Sequence, residues 1–456
     1  MNREKLGSRL GFILLSAGCA IGIGNVWKFP YVVGENGGGV FVIIYLIFLA
    51  ILGIPVLTME FSIGRAAQKS PVKMYRELEP KGSFWHIHGK VAMIGAYMLM
   101  MFYTTVAGWM VRYFVSTASG KLTGLDSAGV AEHFSTMLSN APVMVFYLAV
   151  VIVAAMLVCS IGLQNGLERV TKVMMLALLA IMVILAINSF FMEGGKAGLA
   201  FYLKPNFEEV KNVGIGSIVV NAMNQAFFTL SLGIGAMAIF GSYIGKEQSL
   251  LSESINVAIL DTVVAISSGL IIFPACFAYD VDVDSGPSLI FITLPNIFNN
   301  IPLGRLWGSL FFVFMSFAAL STVLAVFEEI IACTVDLFGW GRKKACLING
   351  ILLFVLSLPC CLGFNILSGI QPMGEGSSIM DLEDFIVSNL ILPLGSLVII
   401  LFCTSKKGWG WDNYQSEANE GKGLKMQKFM KGYMTYVLPI MVIVLFVIGI
   451  VRTFAK

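Results

Sequence analysis

Charged residues are scarce in this chain of 456 residues. Asp, Glu, Lys and Arg together make up 12% of the sequence, about half of the share typical of soluble globular domains. Hydrophobic residues make up 57%, and the mean hydropathy is +0.84. This composition excludes an ordinary soluble domain and favours a chain that lies mostly within a membrane.

Residues that carry catalytic or metal-binding chemistry are scarce as well. The three histidines, His86, His88 and His133, lie in or near predicted loops and form no motif. The eight cysteines are scattered through apolar stretches without the spacing of a metal, redox or disulfide site. We therefore expect no enzyme. No polar pore ring or signalling domain indicates a channel or a receptor, and a net charge of +3 gives no sign of nucleic-acid binding.

Long apolar segments are what the sequence has in abundance. Each reaches or approaches the ~20 residues that a helix needs to cross ~30 Å of hydrocarbon. The first continues into an aromatic and basic stretch at 27–30, so we expect no cleavable signal peptide. The pattern predicts an all-α membrane protein with eleven spans, at roughly 10–31, 38–64, 90–117, 141–161, 167–193, 213–244, 252–279, 303–336, 345–363, 384–404 and 429–453.

Basic residues in the short loops predict the orientation. Lys and Arg cluster before the first segment and after the second, eighth and tenth, whereas the loops after the seventh and ninth carry Asp and Glu instead. The longer loop after the fifth segment is an exception. The pattern predicts an inner (plasma) membrane protein with a cytoplasmic N-terminus and a C-terminus outside.

Two apolar segments, the first and the sixth, are interrupted by the same Gly-Ile-Gly sequence, at 22–24 and 233–235. Glycine destabilises a helix, because it loses the most entropy and leaves the backbone uncovered. Inside a membrane, unpaired backbone groups survive only where they line a cavity or hold a ligand. Matching breaks in two halves of a chain point to a transporter site near the bilayer midplane. The alternative is that the glycines only allow close helix packing.

The two breaks also suggest a repeat. Segments 1–5 and 6–10 have opposite predicted topology. We therefore expect a five-plus-five inverted repeat with discontinuous helices 1 and 6, formed by residues 1–193 and 213–404, and an additional eleventh helix at 429–456.

Several motifs resemble the signature of the neurotransmitter:sodium symporter family, and the match runs from Arg3 to about residue 400. Many relatives have a twelfth helix, so eleven segments resemble the bacterial branch. The motifs are Arg9-Leu10-Gly11, residues 22–30 (GIGNVWKFP), residues 35–39 (ENGGG), Gly53-Ile54-Pro55, Glu60, residues 227–233 (FFTLSLG) and residues 292–295 (ITLP).

The resemblance implies two sodium sites. Asp261 falls at the family's ligand position in the seventh segment, where asparagine is common, and Asn256 is the alternative if that helix shifts register. A carboxylate in mid-membrane is a functional candidate by default. The adjacent hydroxyls of the second site could instead bond back to their own helix. The first site would comprise Ala20, Asn25, Thr229 and Asp261, and the second Gly18, Ile21, Ala318, Ser321 and Thr322.

The resemblance also implies a substrate pocket between the breaks. Half-helix N-termini would attract a carboxylate, and unwound carbonyls would accept from an ammonium group. Monoamine-carrying relatives have an aspartate at the position of Gly22, so an amino acid that brings its own carboxylate is expected. The predicted lining is Ala20, Gly22, Ile23, Gly24, Leu99, Tyr103, Phe228, Thr229, Ser231, Leu232, Gly233, Ile234, Thr322 and Val326.

Gates are implied at both ends of this pocket. Lys28 would pair with Asp384 on the outside, although relatives usually have arginine, which binds a carboxylate with two parallel hydrogen bonds. Arg3, Asp336 and Tyr243 would form the cytoplasmic latch. Glu60 would brace the unwound backbone of both broken helices, because a buried carboxylate needs hydrogen-bond donors.

Together these observations predict a symporter that couples sodium to import of a neutral amino acid, with a hydrophobic side chain favoured by the mostly apolar lining, by alternating access. Asp261 would replace the negative charge that chloride supplies in chloride-dependent relatives, so we expect no chloride requirement. The other hypothesis is a transporter-like amino-acid sensor that binds without carrying.

Overall fold

The computed structural model describes residues 4–192, 194–279 and 288–454. Within these residues the regular structure is helical, with two isolated β-bridges, so the predicted all-α class is confirmed. Nine described helices are long and apolar enough to cross a membrane: Gly39–Ala67, His86–Ala118, Ala141–Ile161, Leu163–Phe190, Leu250–Ala278, Gly304–Phe338, Arg342–Leu362, Ile379–Thr404 and Met430–Phe454.

The first predicted span is a broken helix. It consists of Arg9–Ala20 and Gly24–Glu35, bent by 58° at the break, and forms a tenth candidate span. Asparagine follows the second glycine of its Gly-Ile-Gly sequence, and Asn25 lies at the start of the outer half. The bend therefore falls at the place where the glycines predict it.

The sixth predicted span is also divided. Its two helices, Ile215–Phe228 and Ala236–Gly241, are 14 and 6 residues long, and each is too short to cross ~30 Å alone. Between them the backbone turns left-handed at Ser231 (φ 51°), Gly233 (φ 101°) and Gly235 (φ 95°). Two of these three positions are glycine, which adopts a positive φ without a steric penalty.

Shorter helices cap the bundle and connect its spans. They are Pro71–Leu78, Ser127–Ser139, Lys196–Leu203, Phe207–Val213, Leu289–Asn299 and Trp411–Ala418.

The Gly304–Phe338 helix lies at the centre of the fold. In the most apolar stretch of this helix, 78% of the residues are buried by other parts of the protein. The corresponding share for Met430–Phe454 is only 28%. The last helix therefore faces lipid at the periphery. The central helix contacts the first broken helix along the break, which places its hydroxyl and carboxyl side chains beside both unwound segments.

Candidate functional site

The two breaks meet at the base of a cavity of about 360 Å³. Ser231 Oγ donates to the carbonyl of Cys19 at 3.5 Å and so joins the second break to the first. The cavity extends from this contact to Asp381, which is exposed. It is lined by Cys19, Ala20, Gly22, Ile23, Gly24, Asn25, Trp27, Lys28, Tyr31, Leu99, Phe102, Tyr103, Val106, Phe228, Thr229, Ser231, Thr322, Met380, Asp381, Asp384 and Leu392.

The residues assigned to the first sodium ion cluster beside this cavity. Asp261 is fully buried; it accepts from Asn25 Nδ2 at 2.7 Å through one carboxylate oxygen and from Thr229 Oγ1 at 2.9 Å through the other. Asn25 Oδ1 is buried and has no hydrogen-bond partner among the described residues. Carboxylate, amide and hydroxyl oxygens are ligands that suit a hard cation, and an unpartnered buried oxygen fits one.

The seventh span is therefore placed in the register that puts Asp261 at the site. Asn256, the alternative, lies five residues earlier on a half-buried part of the Leu250–Ala278 helix. Five residues correspond to about 140° of rotation around a helix. The Asn256 side chain consequently points away from the direction in which Asp261 meets Asn25 and Thr229.

The residues assigned to the second sodium ion lie between the first break and the central helix. Thr322 Oγ1 lies 3.3 Å from the carbonyl oxygen of Gly18 and 3.4 Å from those of Cys19 and Ala318. Ser321 Oγ donates to Ala318 O at 3.0 Å, the bond within its own helix that a structural role would give. Ile21 is buried at the break itself. Several oxygens thus converge where the helix is unwound.

A polar pole for the substrate is formed by the first break and the His86–Ala118 helix. Tyr103 Oη accepts from the backbone N–H of Ile23 at 3.0 Å. A Cβ atom at position 22 would lie 2.5 Å from Tyr103 Oη and 3.0 Å from Thr322 Oγ1. Glycine at this position therefore keeps the tyrosine, the break and the central helix in contact.

Four residues that were predicted to line the substrate pocket, namely Leu232, Gly233, Ile234 and Val326, do not line the cavity. Ile234 and Val326 are fully buried. The left-handed turns on both sides of Ile234 direct its side chain toward Gly95, away from the cavity. The apolar walls are completed instead by Trp27, Tyr31, Phe102, Val106, Met380 and Leu392. The spacing of these six residues along the chain carries no signal for this role.

The predicted outer ion pair is not formed. Lys28 Nζ lies 3.9 Å from the ring centroid of Phe228, a cation–π contact, and Asp384 accepts from Ser388 Oγ at 2.5 Å. Lys28 and Asp384 both line the cavity. The expectation of a closed Lys28–Asp384 gate is thus corrected for this conformation, in which the cavity separates the two side chains.

Two of the three residues predicted for the cytoplasmic latch, Asp336 and Tyr243, make polar contacts at the opposite end. Arg3 lies outside the described residues. Asp336 accepts from the backbone N–H of Ser70 at 2.8 Å, while Tyr243 Oη donates to Glu328 at 2.7 Å. Arg342 Nη1 donates to the same carboxylate at 3.1 Å. Glu328 and Arg342 were missed from the sequence, although a glutamate pair within an apolar span is a visible signal.

Glu60 supports the second break. Its carboxylate accepts from the backbone N–H groups of Gly233 at 3.2 Å and Gly235 at 2.8 Å. These groups have left the helical hydrogen-bond pattern, so a buried acceptor stabilises them. Among the described residues its hydrogen bonds reach only this break, whereas the sequence predicted support for both.

Comparison with known proteins agrees with this arrangement. A family model, the sodium:neurotransmitter symporter family, matches residues 3–127 and 127–456. An uncharacterized sodium-dependent transporter of Bacillus subtilis, YhdH, is 35% identical over 442 residues, 96% of each chain. A relative of Methanocaldococcus jannaschii with the same description, MJ1319, is 31% identical over 96% of this chain and 89% of its own.

The fold has a solved counterpart. The crystal structure of MhsT in complex with L-phenylalanine has a TM-score of 0.87 and 36% sequence identity, and the match covers 98% of this chain and 100% of that one. The chain therefore belongs to the sodium:neurotransmitter symporter family, whose members are sodium-dependent secondary transporters and not enzymes.

Proposed function

We propose that this protein imports a neutral, hydrophobic L-amino acid together with two sodium ions, by alternating access. The observation that carries the proposal is the cavity between the two broken helices, which has apolar walls and a polar pole at the first break. Backbone N–H groups and the Tyr103 hydroxyl would bind the substrate carboxylate, and unwound carbonyls would accept from its ammonium group.

The substrate class follows from what the cavity lacks. Gly22 leaves no carboxylate at the position where an amine without its own acid would need one, and the walls beyond it are aliphatic and aromatic, including Leu99, Phe102 and Val106. Apolar walls favour an apolar side chain by burying its surface. MhsT, a structural relative, binds L-phenylalanine, which supports an amino acid of similar character here.

The ion sites would couple the gradient to the substrate. The first site shares Asn25 and Thr229 with the edge of the cavity, so an ion there would lie against the substrate carboxylate. The second would hold the first broken helix against the central helix through Thr322. The repeats at 1–193 and 213–404 would move relative to each other. The protein would lie in the plasma (inner) membrane with its N-terminus in the cytoplasm.

Shared ligands predict linked binding. Sodium should raise the affinity for L-phenylalanine, and L-phenylalanine should raise the affinity for sodium by the same factor, because coupling free energies are reciprocal. We expect tenfold or greater coupling, about 1.4 kcal/mol, by calorimetry of the purified protein in sodium and in potassium at equal ionic strength. Equal affinities in the two salts would contradict the shared shell.

Uptake separates a carrier from a sensor. Proteoliposomes loaded with potassium should accumulate labelled L-phenylalanine when sodium is added outside, and should stop when a sodium ionophore collapses the gradient. Sodium-linked binding without accumulation would instead identify the protein as a sensor.

The cavity wall should set the size of the substrate. Leu99 is buried to 92% and lines the cavity, so Leu99→Phe should weaken binding of phenylalanine and tryptophan more than binding of alanine, because a packed site accommodates little extra volume. We expect a change of about tenfold in the ratio of affinities, measured by competition. Ile234→Val, which alters a side chain outside the cavity, should keep the wild-type ratio. A uniform loss across the three substrates in Leu99→Phe would exclude Leu99 from the side-chain subsite.

A further inference from the structure

Glu329 is a fully buried carboxyl group that differs from the other buried glutamates of the central bundle. Neither of its two oxygens has a hydrogen-bond partner among the described residues. In contrast, Glu328 binds Tyr243 and Arg342, and Glu253 pairs with Arg9 at 2.8 Å. No cation contacts Glu329 in the described part of the chain.

The surroundings of Glu329 make an ionised form unfavourable. It faces Glu60 from the second span, Cys19 from the first break, and Cys333 on its own helix. A Cβ atom at Gly235 would lie 3.2 Å from Glu329 Oε1, so the carboxyl group packs directly against the second break. Beyond Glu60 lies the phenol of Tyr75, whose ring contacts that of His88 in an edge-to-face arrangement. None of these neighbours supplies a compensating positive charge in contact with Glu329.

The two carboxyl groups at the break receive different numbers of donors. Glu60 accepts two backbone N–H groups, which stabilise its ionised form. Glu329 accepts none and would add a second negative charge beside the first. An unpaired charge in such a site costs several kcal/mol even after relaxation. The difference in donors therefore favours a proton on Glu329 over one on Glu60.

The central helix connects this group to the closed end of the transporter. Glu329, Cys333 and Asp336 are spaced i, i+4 and i+7, which places them on one helix face. Cys333 lies between the two acids against Ser70, and half-buried Asp336 accepts from Ser70 N. The adjacent residue, Glu328, holds the Tyr243 and Arg342 contacts that close this end. Separation of those contacts would bring water to the face that carries Glu329.

We propose that Glu329 is a proton-binding site, and that closing this end of the transporter takes up one proton from the cytoplasmic side. The direction rests on the proposed alternating access, whereas the protonated state of Glu329 does not. The neutral form belongs to the closed state, and the ionised form to the open, hydrated state. Acidification of the cytoplasmic side thus favours closure there, and a rise in pH favours opening.

The protonated carboxyl group can be observed directly. Infrared spectra of the purified protein in sodium should contain the carbonyl stretching band of a protonated carboxylic acid, and Glu329→Gln should lose that component. An unchanged band in a folded Glu329→Gln protein would overturn the assignment. Glu329→Met provides a second variant of similar size. If Glu329 is neutral, both variants should fold and elute as the wild type does in size-exclusion chromatography, since no charge has lost a partner.

Coupling to closure is tested by counting protons. Replacing potassium by sodium in the buffer should favour the state in which the cytoplasmic end is closed. A pH indicator in weakly buffered detergent solution should then report proton uptake by the wild type. The Glu329→Gln variant should take up one proton fewer per molecule. In the wild type the ratio of closed to open protein should change by up to about tenfold per pH unit, and this change should be absent from the variant. Glu383→Gln, which changes another buried glutamate, on the Ile379–Phe385 helix, should behave as the wild type. Equal proton uptake in wild type and Glu329→Gln would refute the coupling even if transport itself is confirmed. A difference of one proton in a protein that accumulates no amino acid would leave Glu329 assigned and remove the proposed transport function.

Discussion

Asp261→Asn is expected to abolish sodium-driven uptake, and the wild-type protein is expected to transport equally well in gluconate and in chloride. Asp261 is fully buried and holds Asn25 and Thr229 on separate carboxylate oxygens. A sodium ion and a zwitterionic substrate would leave an uncompensated positive charge in this low-dielectric site, and a fixed carboxylate balances it. Asparagine keeps the shape of the side chain but removes the charge.

The expected loss is large. Removing one partner of a buried charge pair costs about 3–5 kcal/mol, which corresponds to a loss of sodium affinity of roughly 10²-fold or more. Sodium-dependent binding of L-phenylalanine measures this affinity without the rest of the cycle. Addition of chloride to Asp261→Asn should restore part of the binding, because a mobile anion can replace the missing charge.

Asn256→Ala is the matched control, since Asn256 lies on the same helix at the position required by the other register. It should retain sodium-dependent binding. A chloride requirement in the wild type, or normal uptake by Asp261→Asn, would contradict the role given to Asp261.

Much of the fold was predictable because its signals are local. Apolar length identifies the spans, and Gly-Ile-Gly marks the two places where the backbone departs from the helix. The residues of the two ion sites were assigned from the resemblance to the family, and they lie close together in the structure. Asn25 and Thr229 lie at the two breaks, whereas Thr322 lies on the continuous central helix and approaches the first break from outside it.

The parts that were not predicted depend on side-chain direction and on conformation. Ile234 follows one left-handed residue and precedes another, so its direction is set by backbone angles that the letters Gly-Ile-Gly do not specify. The Lys28–Asp384 pair depends on whether the outer side is open, and one sequence encodes both states. Glu328 and Arg342 are 14 residues apart on successive helices, and only the turn between these helices brings their charges together.

Gly22→Ala is expected to remove uptake and to weaken sodium binding at once. The added Cβ would lie 2.5 Å from Tyr103 Oη and 3.0 Å from Thr322 Oγ1, and both distances are shorter than an ordinary contact. Tyr103 would have to give up the Ile23 N–H, and Thr322 would have to move from the carbonyls of Gly18 and Ala318. One methyl group therefore disturbs the substrate pole and the second ion site together.

Gly24→Ala separates this steric effect from the general effect of an alanine in an unwound segment. No atom lies within 4 Å of a Cβ at Gly24, and the residue belongs to the same break. We expect Gly22→Ala to reduce the affinities for L-phenylalanine and for sodium by more than about tenfold, since overpacking costs typically 1–3 kcal/mol. Gly24→Ala should retain the sodium affinity within a few-fold. Calorimetric titrations with L-phenylalanine in sodium and with sodium itself, with both variants at equal concentration, measure the two quantities. If the variants lose sodium affinity equally, the contact among Gly22, Tyr103 and Thr322 does not hold the ion site. If Gly22→Ala loses substrate affinity alone, Thr322 reaches its carbonyls independently of position 22, and the two sites are coupled through Asn25 and Thr229 instead.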